Sequence, residues 1–138
     1  MKKIFSFFLV LIAFAFMSCG DDATGPNTGG IGGGGGTGGG GVTFTVSLAQ
    51  DQQQQYYFEF KPSTPVVINT ITANCPAANI NNEQVTDNGT TVYDANNAAY
   101  VGPITVLAQG QQWTFTIAGK LGSSTGTAYS VSANFTVQ

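Results

Sequence analysis

Few side chains in this sequence are equipped for chemistry. There is no histidine and no arginine. That removes the commonest general base and the imidazole half of most zinc and copper sites. A serine or cysteine nucleophile would lack its usual activator. Paired carboxylates are the remaining route to hydrolysis, but Glu59, Glu83 and Asp87 are too scattered to form an acid and base pair. Asp94-Ala95-Asn96-Asn97 has oxygen donors at alternating places, as calcium loops do. Ala98 breaks that series at its third place, and neither a turn glycine nor a closing glutamate follows. Asparagines that cap a loop are the expectation there. The sequence thus predicts no catalytic group, no metal site and no cofactor.

Aromatic side chains are the better candidates for ligand contact. Tyr57 faces away from Phe58, while Tyr93 and Tyr100 are expected in or beside loops. Exposed aromatics of this kind stack on sugar rings, which makes a carbohydrate-binding module the second function class. Trp113 is in register with Phe115 and Ile117 and is expected in the core instead. Cys75, at the end of an apolar run in Ala73-Asn74-Cys75-Pro76, is expected to be a buried structural thiol.

The elements that must position these residues read as strands. Val42, Phe44, Val46 and Leu48 alternate with Thr43, Thr45 and Ser47, the pattern of a half-buried strand. After a turn over 50–55, Tyr56, Phe58 and Phe60 lie on one side and Tyr57, Glu59 and Lys61 on the other. Residues 66–73 are rich in β-branched side chains and end before Pro76, as a more central strand would. Asp87-Asn88-Gly89 is a two-residue hairpin signal that predicts pairing of 84–86 with 90–93. A further strand is expected over 103–108. The clearest pair comes last: Trp113, Phe115 and Ile117 alternate with threonines and an alanine, a turn spans 119–126, and Tyr129, Val131, Ala133, Phe135 and Val137 alternate again.

Seven short strands in about 97 residues, with no amphipathic helix among them, predict an all-β fold over 42–138, a two-sheet antiparallel β-sandwich. Gly110-Gln111-Gln112-Trp113-Thr114-Phe115-Thr116-Ile117 followed by Tyr129-Ser130-Val131-Ser132-Ala133 resembles the last hairpin of immunoglobulin-like and fibronectin type III-like domains on bacterial surface proteins. The paired cysteines of antibody domains are missing.

Residues 1–18 have the order of a secretory signal: Lys2 and Lys3, an apolar core of about 14 residues, then Ser18 before Cys19. Spanning a bilayer as a helix takes ~20 apolar residues, so the core is too short for that role. Phe16-Met17-Ser18-Cys19 resembles the bacterial lipobox, which implies cleavage before Cys19 and acylation of its sulfur and new amino group. Two or three acyl chains at about 0.8 kcal/mol per buried methylene hold a protein at a membrane effectively for good. Gly20-Asp21-Asp22 resembles the acidic export signal of Bacteroidetes-type lipoproteins, implying the outer membrane and display on its outer face.

Residues 19–41 form the attachment site and a flexible tether. From 25 to 41 the chain is mostly glycine without collagen's triplet period, and it is expected to be disordered. A glycine-rich chain of about 20 residues spans some 25 Å on average. No strand and helix flank it, and no Lys-Ser/Thr pair marks a phosphate loop.

Charged residues make up 8% of the chain, against about a quarter in soluble domains. Beyond the signal, Lys61 and Lys120 stand against seven carboxylates. A nucleic-acid partner is excluded on that balance, because such affinity depends on neutralising phosphates. The expected partners are the membrane, through the lipid, and a protein or glycan. The reading that emerges is a non-enzymatic, membrane-anchored lipoprotein presenting a small β-sandwich for binding or scaffolding at the cell envelope. A pilin-like or adhesive subunit is a third class; such lipoproteins are commonly matured by cleavage after arginine, which is absent here.

Overall fold

The computed structural model describes residues 10–11 and 41–138. The lipobox residues Phe16, Met17, Ser18 and Cys19, the acidic Gly20-Asp21-Asp22 and the glycine-rich stretch to residue 40 lie outside the described residues.

Nine strands are present among the described residues: β1 (Val10–Leu11), β2 (Phe44–Gln50), β3 (Tyr56–Pro62), β4 (Val66–Cys75), β5 (Ile80–Thr86), β6 (Val92–Tyr93), β7 (Ala99–Ile104), β8 (Gln112–Leu121) and β9 (Ala128–Thr136). A 3-10 turn, Pro76–Ala78, follows β4. One sheet has the order β1-β7-β3-β2, the other β5-β4-β8-β9, with β6 also pairing to β4. All pairings are antiparallel. The two sheets pack face to face as a β-sandwich, the fold class that the alternating pattern predicts.

The core follows from the period-two alternation. Val46, Phe58, Phe60 and Val101 of the smaller sheet meet Ile71, Phe115, Ile117 and Val131 of the larger one. Phe58 is the centre of an aromatic cluster, its ring centroid 4.8 Å from that of Trp113, 4.9 Å from Phe115 and 5.7 Å from Phe135. Tilted and edge-on contacts of this kind contribute roughly 0.5–1.5 kcal/mol each beyond area burial. Phe44 and Tyr129, 6.1 Å apart, close the side where β2 meets β9. Trp113 and Cys75 are both buried, in keeping with their positions in the pattern.

Strand β4 is central, flanked by β8 on one side and by β5 and β6 on the other. Its register with β8 slips at Asn69, an extra residue that lets Val66 and Ile68 before it and Ile71, Ala73 and Cys75 after it all point inward. The predicted hairpin at Asp87-Asn88-Gly89 is corrected by this arrangement. β5 pairs with Thr70 to Cys75 of β4, and β6 pairs with Val66 and Val67, so the turn is a jog between two strands on the same edge of β4 rather than a reversal. The jog sits at the Asn69 bulge, where the Asp87 amide donates to the Asn69 carbonyl at 2.9 Å.

The strand expected over 103–108 is also displaced. β7 runs over Ala99–Ile104, and residues 105–108 belong to no strand. Alanine, glycine and proline give this segment weak intrinsic strand preference. Pairing with Tyr56, Phe58, Glu59 and Phe60 of β3 imposes the strand, a case of tertiary context overriding propensity.

Candidate functional site

The outer face of the smaller sheet gathers the polar and aromatic side chains most suited to recognition. On β3 the inward turn of Phe58 and Phe60 forces Tyr57, Glu59 and Lys61 outward. On β2 Ser47 and Ala49 share that outer face, and on β7 Tyr100 and Gly102 do. The register aligns them in rows across the strands. Ser47 is opposite Glu59 and Glu59 opposite Tyr100; in the next row Ala49 is opposite Tyr57.

The first row is locked by hydrogen bonds. Ser47 Oγ donates to Glu59 Oε2 at 2.7 Å, and Tyr100 hydroxyl donates to Glu59 Oε1 at 2.9 Å. Both Glu59 oxygens are thereby oriented, and each retains capacity to accept a further bond. Burial pushes the Tyr100 hydroxyl up to about 12, with the Glu59 hydrogen bond and charge adding to it. It therefore stays a proton donor throughout the physiological range.

In the second row Tyr57 lies over Gly102. A Cβ at Gly102 would be 2.7 Å from Tyr57 Cδ1 and 2.9 Å from the Tyr56 carbonyl oxygen, so only glycine fits beneath the ring. An aromatic laid across a neighbouring strand's glycine covers backbone that no side chain protects. The Tyr57 hydroxyl donates to Asp51 Oδ2 at 3.2 Å, with Gln55 Oε1 at 3.3 Å as an alternative acceptor. Burial raises its pKa, and the hydrogen bond to Asp51 and that carboxylate's charge raise it further. Asp51 itself is fixed by the turn between β2 and β3, where its Oδ1 accepts the amides of Gln53 and Gln55, each at 2.8 Å.

Of the three tyrosines singled out from the sequence, the fold brings Tyr57 and Tyr100 onto this one face and takes Tyr93 elsewhere. Tyr93 lies in β6, only 1% exposed, with its hydroxyl donating to Asp87 Oδ2 at 3.0 Å. It anchors the jog after β5 to the core and offers no surface to a ligand. The sequence predicts asparagines capping this loop, but it is Asp94 whose Oδ1 accepts the amides of Asn96 at 2.7 Å and Asn97 at 2.9 Å. No group of three or more metal-ligating side chains occurs among the described residues. Sequence reasoning placed Glu59 beside Tyr57 but missed its partners Ser47 and Tyr100. The signal for Ser47 was present in the alternation of β2, whereas Tyr100 became legible only once β7 was placed.

Comparison with known proteins finds no counterpart: no protein-family description, no curated protein and no solved structure matches the chain.

Proposed function

We propose that this chain is a lipoprotein of the cell envelope, anchored through Cys19 to the outer membrane, that presents a non-enzymatic β-sandwich on a glycine-rich tether for binding or scaffolding. The observation that carries the reading is the sequence around Cys19: an apolar core preceded by lysines, Ser18 before the cysteine, and an immediate change to Gly20-Asp21-Asp22 and then glycine up to the start of the domain. Acyl chains there leave the domain free of any need for a membrane-binding surface. The strand connectivity supports an immunoglobulin-like or fibronectin type III-like assignment: β2-β3-β7, the strands left in that sheet when cleavage before Cys19 removes β1, faces β5-β4-β8-β9, and the chain crosses between the two antiparallel layers at β3–β4, β6–β7 and β7–β8.

Fractionation of cells expressing the full chain tests this reading. The parent partitions with outer membranes and the Cys19→Ser variant does not; equal membrane association of the two would contradict it. A second reading, a carbohydrate-binding module, is favoured by the shared outer face of Tyr57, Glu59 and Tyr100.

A further inference from the structure

The row occupied by Tyr57 has an unusual profile. Its opposite neighbour on β2 is Ala49 and on the β7 side the ring lies over Gly102, so among the described side chains a methyl group and a hydrogen flank it across the strands. One row along, at the ~7 Å repeat of a strand face, lie the Glu59 carboxylate and the Tyr100 hydroxyl. An aromatic surface with small neighbours, next to a carboxylate already aimed by two donors, is complementary to a molecule with one apolar flat side and a hydroxylated rim. A pyranose has that form: its axial C–H groups pack on the ring while neighbouring hydroxyls donate to the two carboxylate oxygens.

The charge on the face selects among saccharides. Glu59 sits within it and Asp51 at its Tyr57 end, with Lys61 one row beyond Glu59, and the domain beyond residue 41 carries five carboxylates against Lys61 and Lys120. A uronate or sialylated ligand would bring like charge to that carboxylate, which is unfavourable. We infer that the outer face of the β2–β3–β7 sheet is a binding site for neutral saccharides, with a sugar ring stacked on Tyr57 and its hydroxyls bonded to Glu59, which Ser47 and Tyr100 hold in place. This inference rests on the reading of the domain as a non-enzymatic binding module and is independent of the lipid anchor.

The test uses the full chain in detergent and measures its depletion by insoluble cellulose, chitin, xylan and starch, with immobilised polygalacturonate as the acidic comparison. At least one neutral polymer should retain the parent, and polygalacturonate should not. Tyr57→Ala should weaken retention by about tenfold or more, Tyr57→Phe by no more than about twofold, and Glu59→Gln by about fivefold or more, each variant keeping the parent's circular-dichroism spectrum. Retention by none of the neutral polymers would overturn the inference and leave the face to protein contacts. Undiminished retention of Tyr57→Ala, or binding to polygalacturonate alone, would overturn it equally. Because the measurement is made in detergent, its outcome does not depend on whether Cys19 is acylated, and failure of the anchoring proposal would register only in the fractionation.

Discussion

Gly119 shows how closely single atoms decide the packing of the larger sheet. A Cβ there would collide with the Val67 carbonyl oxygen and come within 2.9 Å of the Tyr129 hydroxyl. That hydroxyl donates to the same Val67 carbonyl at 3.3 Å, a buried bond linking β9 to β4 across β8. Gly119→Ala must therefore displace backbone as well as break this bond. Its cost should be about 3 kcal/mol, lowering the melting temperature of the 42–138 domain by roughly 10–20 °C in calorimetry. Tyr129→Phe, which removes only the hydroxyl, should cost about 1 kcal/mol. Equal melting temperatures for Gly119→Ala and the parent would contradict the packing described. Neither effect is visible in the sequence, where Gly119 reads as the start of the 119–126 turn, whereas β8 continues through it to Leu121.

At the scale of elements, the turn between β2 and β3 supports the outer face. Asp51 accepts two backbone amides and the Tyr57 hydroxyl, so one carboxylate closes the turn and pins the ring. Asp51→Ala should reduce stability by about 1–2 kcal/mol in urea denaturation, while Asp51→Asn should retain most of it because an amide oxygen still accepts. An Asp51→Ala domain as stable as the parent would mean that the turn is held by other contacts. Strands whose residues alternate strictly were legible in advance: β2, β3, β8 and β9 lie within a few residues of their predicted bounds. The two departures have a common physical origin. In β7, Gly102 and Pro103 look like turn residues, and only pairing with β3 makes them strand. At Asp87-Asn88-Gly89 the local turn chemistry is real, but the bulge at Asn69 places β5 and β6 on one edge of β4 instead of against each other. For the same reason Tyr93 is buried rather than open to a ligand, and Tyr100 lies within β7 rather than in or beside a loop, since the surroundings of both depend on those two segments. The pairing of Tyr57 with Glu59 survived because it needs only the alternation of β3.

For the molecule as a whole, no disulfide reinforces the sandwich among the described residues, and Cys75 is a free buried thiol. Cohesion comes from the aromatic and β-branched interior, whose burial contributes ~25 cal/mol per Å² against chain entropy. Its tyrosines also predict a pH limit. Burial raises the pKa values of Tyr93, Tyr100 and Tyr129 in the folded domain, Tyr100 to about 12. Above about pH 10 the unfolded chain releases these protons while the folded one keeps them, so the unfolded state binds fewer and stability falls as pH rises. The stabilisation should be fully present below pH ~10 and lost progressively towards and beyond 12, seen as a falling urea midpoint between pH 9 and 11.5. A flat midpoint over that interval would contradict the buried hydroxyls.

The proposed tether and anchor are tested most directly by intact-mass analysis of the mature protein purified from membranes. The proposal predicts that the chain begins at Cys19 and carries a diacylglyceryl group on its sulfur, with or without a further acyl group on its amine. A chain that begins at Met1, or that begins elsewhere and carries no lipid, would contradict it.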